Sequence, residues 1–212
     1  MNTFATPGPI AIDVDVLCGN VTVVASDRAD TVVEVRASDA SKKADVKAAA
    51  QTRAELVGGT LSVTMPKNWR TYTPFGGNAS IEVTVFAPAG SSFKATAGVG
   101  HISGAGELGE CAVELALGDI EIERPLGSVT AKTSKGDIRI GEATRGVMRL
   151  QTSIGELEVG IRPGSAAHVE TTAQTGSVRN DMRPVAPDAA DTVHVQARNS
   201  VGNIIIRHAA AA

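Results

Sequence analysis

One phrase of alternating apolar and polar residues is written three times between Gly109 and Gly164. Each copy consists of an alternating run, a turn closed by a glycine, and a shorter alternating run, and each spans 18 or 19 residues. The turn glycines continue the series on both sides of this stretch: Gly100, Gly118, Gly136, Gly155, Gly176 and Gly202. A copy this short cannot bury an apolar face by itself, so the repeat is typical of chains whose copies stack on one another.

Alignment of the copies on their turn glycines shows that every second position is apolar or small. The inward columns are Cys111, Val129 and Met148; Val113, Ala131 and Leu150; Ile120, Ile138 and Leu157; and Ile122, Ile140 and Val159. The columns between them are polar, and Glu121, Arg139 and Glu158 mix both signs of charge, which favours attraction between neighbouring copies. The sequence therefore predicts an all-β fold, a β-solenoid or β-helix-like stack of ~18-residue rungs. An antiparallel β-sandwich also alternates, but it gives no reason for one phrase to recur.

The rest of the chain predicts a single domain over residues 1–212, with rungs over 93–208 and a frayed tail at 209–212. Residues 1–92 are predicted to form N-terminal strands and one short helix, as a cap or a flanking sheet. The helix is predicted over about residues 41–56, where apolar residues follow helical spacing before Gly58 and Gly59. We expect it to cover one end of the core.

Two insertions are predicted late in the repeat. Five residues separate Thr171 from Gly176, and also Ala197 from Gly202, against three between Thr152 and Gly155, which indicates longer turns. A second insertion follows Met182, in the proline-containing stretch over residues 184–191.

The loop over residues 66–78 is the sharpest candidate for a binding site. It holds three of the chain's six Phe, Trp and Tyr residues, beside two basic residues. The candidate residues are Lys67, Trp69, Arg70, Tyr72 and Phe75. Aromatic and arginine side chains anchor interfaces and stack on bases or sugars, so this loop could bind carbohydrate or single-stranded nucleic acid. The alternative is that the loop folds back and its rings cover the core.

Composition excludes some classes of protein. The net charge is −3, so no basic field draws the whole molecule to nucleic acid or anionic lipid. No run of 18 apolar residues occurs, and the first residues lack the charged and apolar regions of a secretion signal, which predicts a cytoplasmic protein without a membrane partner. In a reducing compartment, Cys18 and Cys111 are expected to be free thiols.

Motifs of catalysis and of cofactor binding are weak. The six residues from Gly104 to Gly109 match the dinucleotide pattern G-x-G-x-x-G, but a β rung follows where that pattern needs a helix. Asp119, Asp137 and Glu156 follow turn glycines and suggest calcium, but carboxylates at such positions more often bond local backbone N–H groups. The four histidines show no metal-ligand spacing. We therefore expect no catalytic residues, no cofactor and no enzyme activity.

Several phrases of the chain resemble a bacterial β-strand-repeat family of unknown function that is often labelled adhesin-like. These phrases are residues 4–9, residues 26–35, residues 51–55 and the recurring Gly-Asp-Ile-x-Ile of the rungs. The resemblance covers nearly the whole chain and implies the β-repeat fold, but it brings no catalytic residues.

The sequence leaves three functions open. The first is a non-catalytic structural or interaction protein, a rigid cytoplasmic scaffold that binds a protein partner or a second copy of itself. The second is a ligand-binding module that uses the loop over residues 66–78, and the third is an adhesin-like surface protein.

Overall fold

The computed structural model describes residues 1–65, 79–182 and 191–209, which form β-strands and one helix. No helix of these residues is long and apolar enough to cross a membrane. The elements are β1 (Asn2–Ala5), β2 (Ala11–Ser26), β3 (Asp30–Ala37), α1 (Lys43–Gln51), β4 (Arg53–Val57), β5 (Thr60–Thr64), β6 (Ile81–Pro88), β7 (Ser92–Val99), β8 (Ile102–Leu108), β9 (Cys111–Leu117), β10 (Ile120–Pro125), β11 (Val129–Lys135), β12 (Ile138–Ala143), β13 (Gly146–Ile154), β14 (Leu157–Ile161), β15 (Ala166–Thr175), β16 (Val178–Asn180), β17 (Thr192–Val201) and β18 (Ile204–His208).

The predicted β-solenoid is confirmed. Each rung consists of two strands joined at a turn glycine. The strands before the turn glycines form one sheet, which we call sheet I, and the strands after them form a second, sheet II. Neighbouring rungs pair in parallel: Val129 of β11 lies between Cys111 and Met148 in sheet I, and Ile138 of β12 lies between Ile120 and Leu157 in sheet II. The inward columns read from the sequence are thus the real columns of the core.

The core consists of these stacked columns and lies between the two sheets. Large side chains are almost completely buried, including Phe93, Ile120, Ile138, Met148 and Leu150. Burial of an aliphatic side chain of this size contributes about 1.5–3 kcal/mol. Apolar or small side chains meet from rung to rung, so the repeat in the sequence is what allows the core to continue along the stack.

The order of the rungs differs from the order of the sequence at both ends of the stack. The 16-residue strand β2 spans both sheets and lies between the rung of β5 and β6 and the rung of β7 and β8. At the other end, the rung of β17 and β18 lies between that of β13 and β14 and that of β15 and β16. The N-terminal strands are therefore part of the stack, and both inserted rungs come from the ends of the chain.

The helix is shorter than predicted. α1 ends at Gln51, and the segment from Arg53 to Val57, which was predicted to be helical as far as residue 56, forms strand β4. The reason is tertiary pairing, since β4 runs antiparallel to β5 and extends sheet I. α1 connects β3 of sheet II to β4 of sheet I, and Ala48 joins the core cluster. The helix thus lies at the end of the stack that β3 and β4 form.

The prediction of longer turns in the late rungs was wrong. Asn199 pairs with Thr152, and Ala173 pairs with Asn199, so these residues occupy the column that precedes the turn by three residues. The segment after Thr171 continues strand β15 without a loop. Because the expected threonine is replaced by Asn199 or Ala173, the sequence alignment slipped by two residues. Most of the insertion predicted after Met182 lies outside the described residues.

Candidate interaction surface

A column of exposed aliphatic side chains runs along the turn edge of the stack. We call it the edge stripe: Val99, Leu117, Lys135, Ile154 and Val201, each directly before a turn glycine. Its four aliphatic members are 41%, 42%, 50% and 46% exposed in that order. Val99 with Leu117, and Ile154 with Val201, are aliphatic pairs on neighbouring rungs on either side of Lys135. Apolar side chains grouped in this way at a surface mark interaction sites.

Close packing of the turns fixes the position of the edge stripe. Gly118 and Gly136 have φ of +128° and +144°, and a Cβ on Gly136 would lie 1.9 Å from the carbonyl oxygen of Gly118. Only glycine can adopt this backbone so near the preceding rung. Each residue before a turn glycine is therefore carried to the edge, where it meets solvent.

Buried polar side chains support the same turns from inside. The Thr133 hydroxyl donates to the carbonyl of Gly118 at 3.2 Å, and the Thr152 hydroxyl donates to that of Gly136 at 3.0 Å. In the next rung, Nδ2 of Asn199 donates to the carbonyl of Gly155 at 3.2 Å. These bonds satisfy two hydroxyl groups and one amide N–H that would otherwise be costly to bury. They hold the turns, and with them the edge stripe, in a fixed shape.

An acidic ladder flanks the edge stripe on the side of sheet II. The carboxylate of Asp119 accepts the backbone N–H of Asp137 at 2.8 Å, and that of Asp137 accepts the N–H of Glu156 at 2.7 Å. Asp119 and Asp137 thus accept backbone N–H groups as expected, but these groups belong to the next rung and are not local, and Glu156 accepts from the side chain of Asn203 instead. Across the described ranges, no three His, Cys, Asp or Glu side chains are grouped as metal ligands.

The outer face of sheet I carries a shallow polar depression of about 540 Å³. Acidic, basic and amide side chains line it together: Glu114, Lys132, Arg149, Gln151, Glu170 and Arg198. A second depression of about 540 Å³ shares Arg149 and Thr130 with the first. Mixed charge on an open surface of this kind suits solvent exposure, and it concentrates no reactive chemistry.

The outer face of sheet II carries the predicted attraction between rungs. Oε2 of Glu158 accepts a hydrogen bond from Nε of Arg139 at 2.7 Å, and Oε1 accepts one from Nε of Arg207 at 2.6 Å. Partial burial alone would raise the pKa of Glu158, but the two arginine hydrogen bonds outweigh it and hold the pKa below its usual value. The pairs bind three neighbouring rungs together.

The two cysteines are free thiols. Cys111 begins strand β9, and Cys18 lies in strand β2 directly before Gly19. Burial raises the pKa of the Cys111 thiol to about 12, so this group is a neutral core residue rather than a nucleophile. Cys18 is half-buried.

The binding loop predicted from the sequence cannot be placed on this surface. Lys67, Trp69, Arg70, Tyr72 and Phe75 lie outside the described residues, and their role stays a prediction. The edge stripe, in contrast, was missed by the sequence reasoning. A signal for it was present in the sequence. Four of the five residues that directly precede Gly100, Gly118, Gly136, Gly155 and Gly202 are aliphatic.

Comparison with known proteins agrees with the fold. A structure of a proposed cell adhesion protein from Clostridium sporogenes ATCC 15579 superposes with a TM-score of 0.52 at 12% identity, over 98% of each chain. A structure of a proposed adhesin from Bacteroides fragilis NCTC 9343 gives a TM-score of 0.40 at 10% identity, over 97% of this chain and 95% of that one. At 12% identity the likeness to the Clostridium sporogenes structure concerns the fold alone.

No curated protein sequence gave a significant match. The family described as Toastrack DUF4097 matches residues 10–159. The chain belongs to this family, whose function is unknown, and the predicted resemblance to a β-strand-repeat family of unknown function is confirmed.

Proposed function

We propose that this Toastrack protein is a non-catalytic interaction module, a rigid cytoplasmic scaffold that binds a protein partner along its edge stripe. The observation that carries the proposal is the alignment of Val99, Leu117, Ile154 and Val201, each about half exposed, along one edge. Removal of such aliphatic groups from water by a partner contributes about 25 cal/mol per Å² of apolar area.

The dimensions of the edge stripe suit a short segment of protein. Its five residues span four steps between rungs, or about 19 Å at about 4.8 Å per step. That is the length of about 13 residues of α-helix. Because the turns are held by backbone contacts and buried side chains, the surface needs no ordering on binding, which lowers the entropic cost of association.

Charged residues beside and within the edge stripe indicate which side chains the partner should carry. Asp119, Asp137 and Glu156 run beside the edge stripe, and Lys135 interrupts it near the middle. A complementary segment would present aliphatic side chains in a row, basic side chains on the flank that meets the acidic ladder, and one acid opposite Lys135. Complementary charge of this kind sets register and partner choice more than affinity.

A pair of double variants tests the proposal. Leu117→Asp with Ile154→Asp places two carboxylates on the edge stripe, whereas Thr130→Asp with Gln151→Asp places the same charges on the outer face of sheet I. Tagged protein is cross-linked in the cells that make it, and the captured proteins are compared by mass spectrometry. We expect one partner to be lost at least tenfold from the first variant and kept by the second. Equal capture by both variants would contradict binding along the edge stripe.

Location in the cell separates the scaffold from the adhesin alternative. Two free thiols are compatible with a reducing compartment. Fractionation of the producing cells is expected to place the protein with cytosolic markers. Labelling of the protein on intact cells by a reagent that does not cross the membrane would favour an adhesin, the function proposed for the Clostridium sporogenes and Bacteroides fragilis proteins.

A further inference from the structure

We propose that the open end of the stack, formed by β15, pairs with β15 of a second copy and closes a two-fold symmetric dimer. This inference is independent of the edge stripe. It rests on the edge of β15 that no other described strand pairs with, on the difference between the two ends of the stack, and on the charge pattern of the strand.

Strand β15 is the last strand of sheet I and is ten residues long. In the described part of the chain it pairs only with β17. The N–H of Ala166 donates to Asp191 at 2.9 Å, on the side of β17. Because successive residues of a strand direct their backbone groups to opposite sides, those of Ala167, Val169, Thr171 and Ala173 point to the open edge.

The core is also incomplete at this end. Val169 pairs in register with the fully buried Val195, and Ala167 with the fully buried Val193, yet both β15 residues remain partly exposed. Val178 of β16 continues the column of Ile204 and is 47% exposed. A second rung placed on this end would complete the burial that every interior rung receives.

The two ends of the stack differ, and the difference limits the assembly. At the opposite end, the edge strands β1 and β4 have only four and five residues and pair antiparallel with β3 and β5, and helix α1 packs against β3 and β6. β4 also carries Arg53 and Glu55 on its surface. Short edge strands, the charged side chains of β4 and a covering helix all resist pairing with another chain. Association through β15 alone joins like surfaces, so it closes at two copies instead of growing into a filament.

Charge selects the register of the dimer. Antiparallel pairing of β15 with its copy can join nine residues in two ways, centred on Glu170 or on Thr171. The first places Glu170 opposite Glu170 of the second copy, and like charges directly opposite each other are destabilising. The second places Glu170 opposite Thr172, His168 opposite Gln174, and Val169 opposite Ala173. It also directs the backbone groups of Thr171 to one another, so we assign this register.

The mass of the full chain in solution gives the first test. Light scattering after size exclusion is expected to give about twice the chain mass of 21.7 kDa. Thr171→Pro removes an N–H that points to the partner and not to β17, so it is expected to return the monomer with unchanged circular dichroism. The edge-stripe variant Leu117→Asp with Ile154→Asp is expected to remain dimeric.

Cysteine cross-linking gives a second test, which decides the matter if Thr171→Pro fails to fold. Thr171→Cys places two thiols in the opposed pair at the two-fold axis, within the Cα separation of about 4.4–6.8 Å that a disulfide spans. Thr172→Cys, one residue away, does not face its copy. We expect a disulfide-linked dimer from Thr171→Cys at least tenfold faster than from Thr172→Cys. A monomeric wild type at the highest soluble concentration, or equal cross-linking of the two variants, would overturn the proposal.

Discussion

At the scale of the residue, the turn glycines lie in tightly restricted environments. From Gly19 to Gly202 each has a positive φ, and a Cβ on any of them would lie 1.7–2.0 Å from a backbone carbonyl oxygen of a neighbouring rung. The backbone of one rung is thus the steric wall of the next. Threonine or asparagine side chains then bind several of those carbonyls from inside.

Substitution of one turn glycine is expected to disrupt the stack. Gly136→Ala would force Cβ against the oxygen of Gly118, and the cost should exceed about 4 kcal/mol, the range of the most severe single changes. Gly164→Ala is the matched control, because Gly164 has φ of +95° but no atom within 4 Å of its Cβ position. Its cost should be about 1–3 kcal/mol from backbone strain alone. Urea unfolding would compare them, and equal losses would show that the close approach to Gly118 does not matter.

Thiol reactivity should separate the two cysteines. Burial raises the pKa of Cys111 to about 12, so its thiolate is scarce at neutral pH and its sulfur is shielded. At pH 8 we expect a disulfide reagent to modify Cys18 alone in the folded protein and both cysteines in denaturant. Mass spectrometry of the labelled peptides would assign the sites. Rapid labelling of Cys111 without denaturant would mean that the core opens readily.

The aromatic loop remains a prediction from the sequence. Trp69 is the only tryptophan, so its fluorescence reports on this loop alone. A binding loop predicts an emission maximum that shifts during titration with oligosaccharide or single-stranded oligonucleotide. A blue-shifted emission that acrylamide does not quench and that neither ligand changes would instead favour a loop that covers the core.

At the scale of the element, side-chain contacts join each rung to the rungs on either side of it. The ion pairs of Glu158 join β14 to β12 and to β18, and the acidic ladder joins consecutive turns by hydrogen bonds from backbone N–H groups to carboxylates. Most of this was predictable, because columns repeat in the sequence and mixed charges alternate along one of them. The error in the late turns arose where Asn199 and Ala173 broke the pattern.

Removal of the Glu158 charge should weaken these contacts in a pH-dependent way. The pKa of Glu158 is lower in the folded protein than its usual value of 4.5, so the stabilisation is complete above that value and is lost as the pH falls through the lowered pKa. Glu158→Gln should cost about 1 kcal/mol at pH 7, and the difference from wild type should shrink in acid.

The control for this change is Glu121→Gln, which lies in the same outward column. Its effect should stay within about 0.5 kcal/mol at every pH. Chemical denaturation over a pH series would measure both variants. A Glu158 effect that does not vary with pH would show that lost packing, and not charge, is responsible.

At the scale of the whole molecule, the parallel stack could be predicted and the order of its rungs could not. Periodicity reports which residues face the core, and the columns around Val129 and Ile138 follow it closely. The insertion of β2 and of β17 with β18 into the interior depends on which neighbour a rung pairs with. Because all rungs present similar apolar side chains to the core, the sequence pattern is compatible with several orders of the rungs along the stack. The predicted helix was too long at its C-terminal end, because the pairing of β4 with β5 overrides the helical spacing of apolar residues there.

The inserted rung makes the C-terminus essential to stability. Deletion of residues 191–212 removes Val193, Val195, Ile204 and Ile206, all fully buried, and separates the rungs on either side. Each contributes about 1.5–3 kcal/mol, so their total is comparable to a net stability of about 5–15 kcal/mol. We expect loss of the cooperative thermal transition. As a control, deletion of residues 1–5 removes only the edge strand β1 and should lower the midpoint temperature of the transition slightly. Similar effects of the two deletions would contradict an interior position for β17 and β18.

The same insertion sets an order of events during synthesis on the ribosome. Strands β15 and β16 leave the exit tunnel before β17 and β18, the rung that separates them from β13 and β14, have emerged. Until β17 and β18 emerge, the growing chain holds a stack that ends at β14 and a β15 strand without its native neighbour. The protein therefore cannot complete this part of the stack by adding rungs in the order of translation, and β17 and β18 must enter between strands that emerged before them.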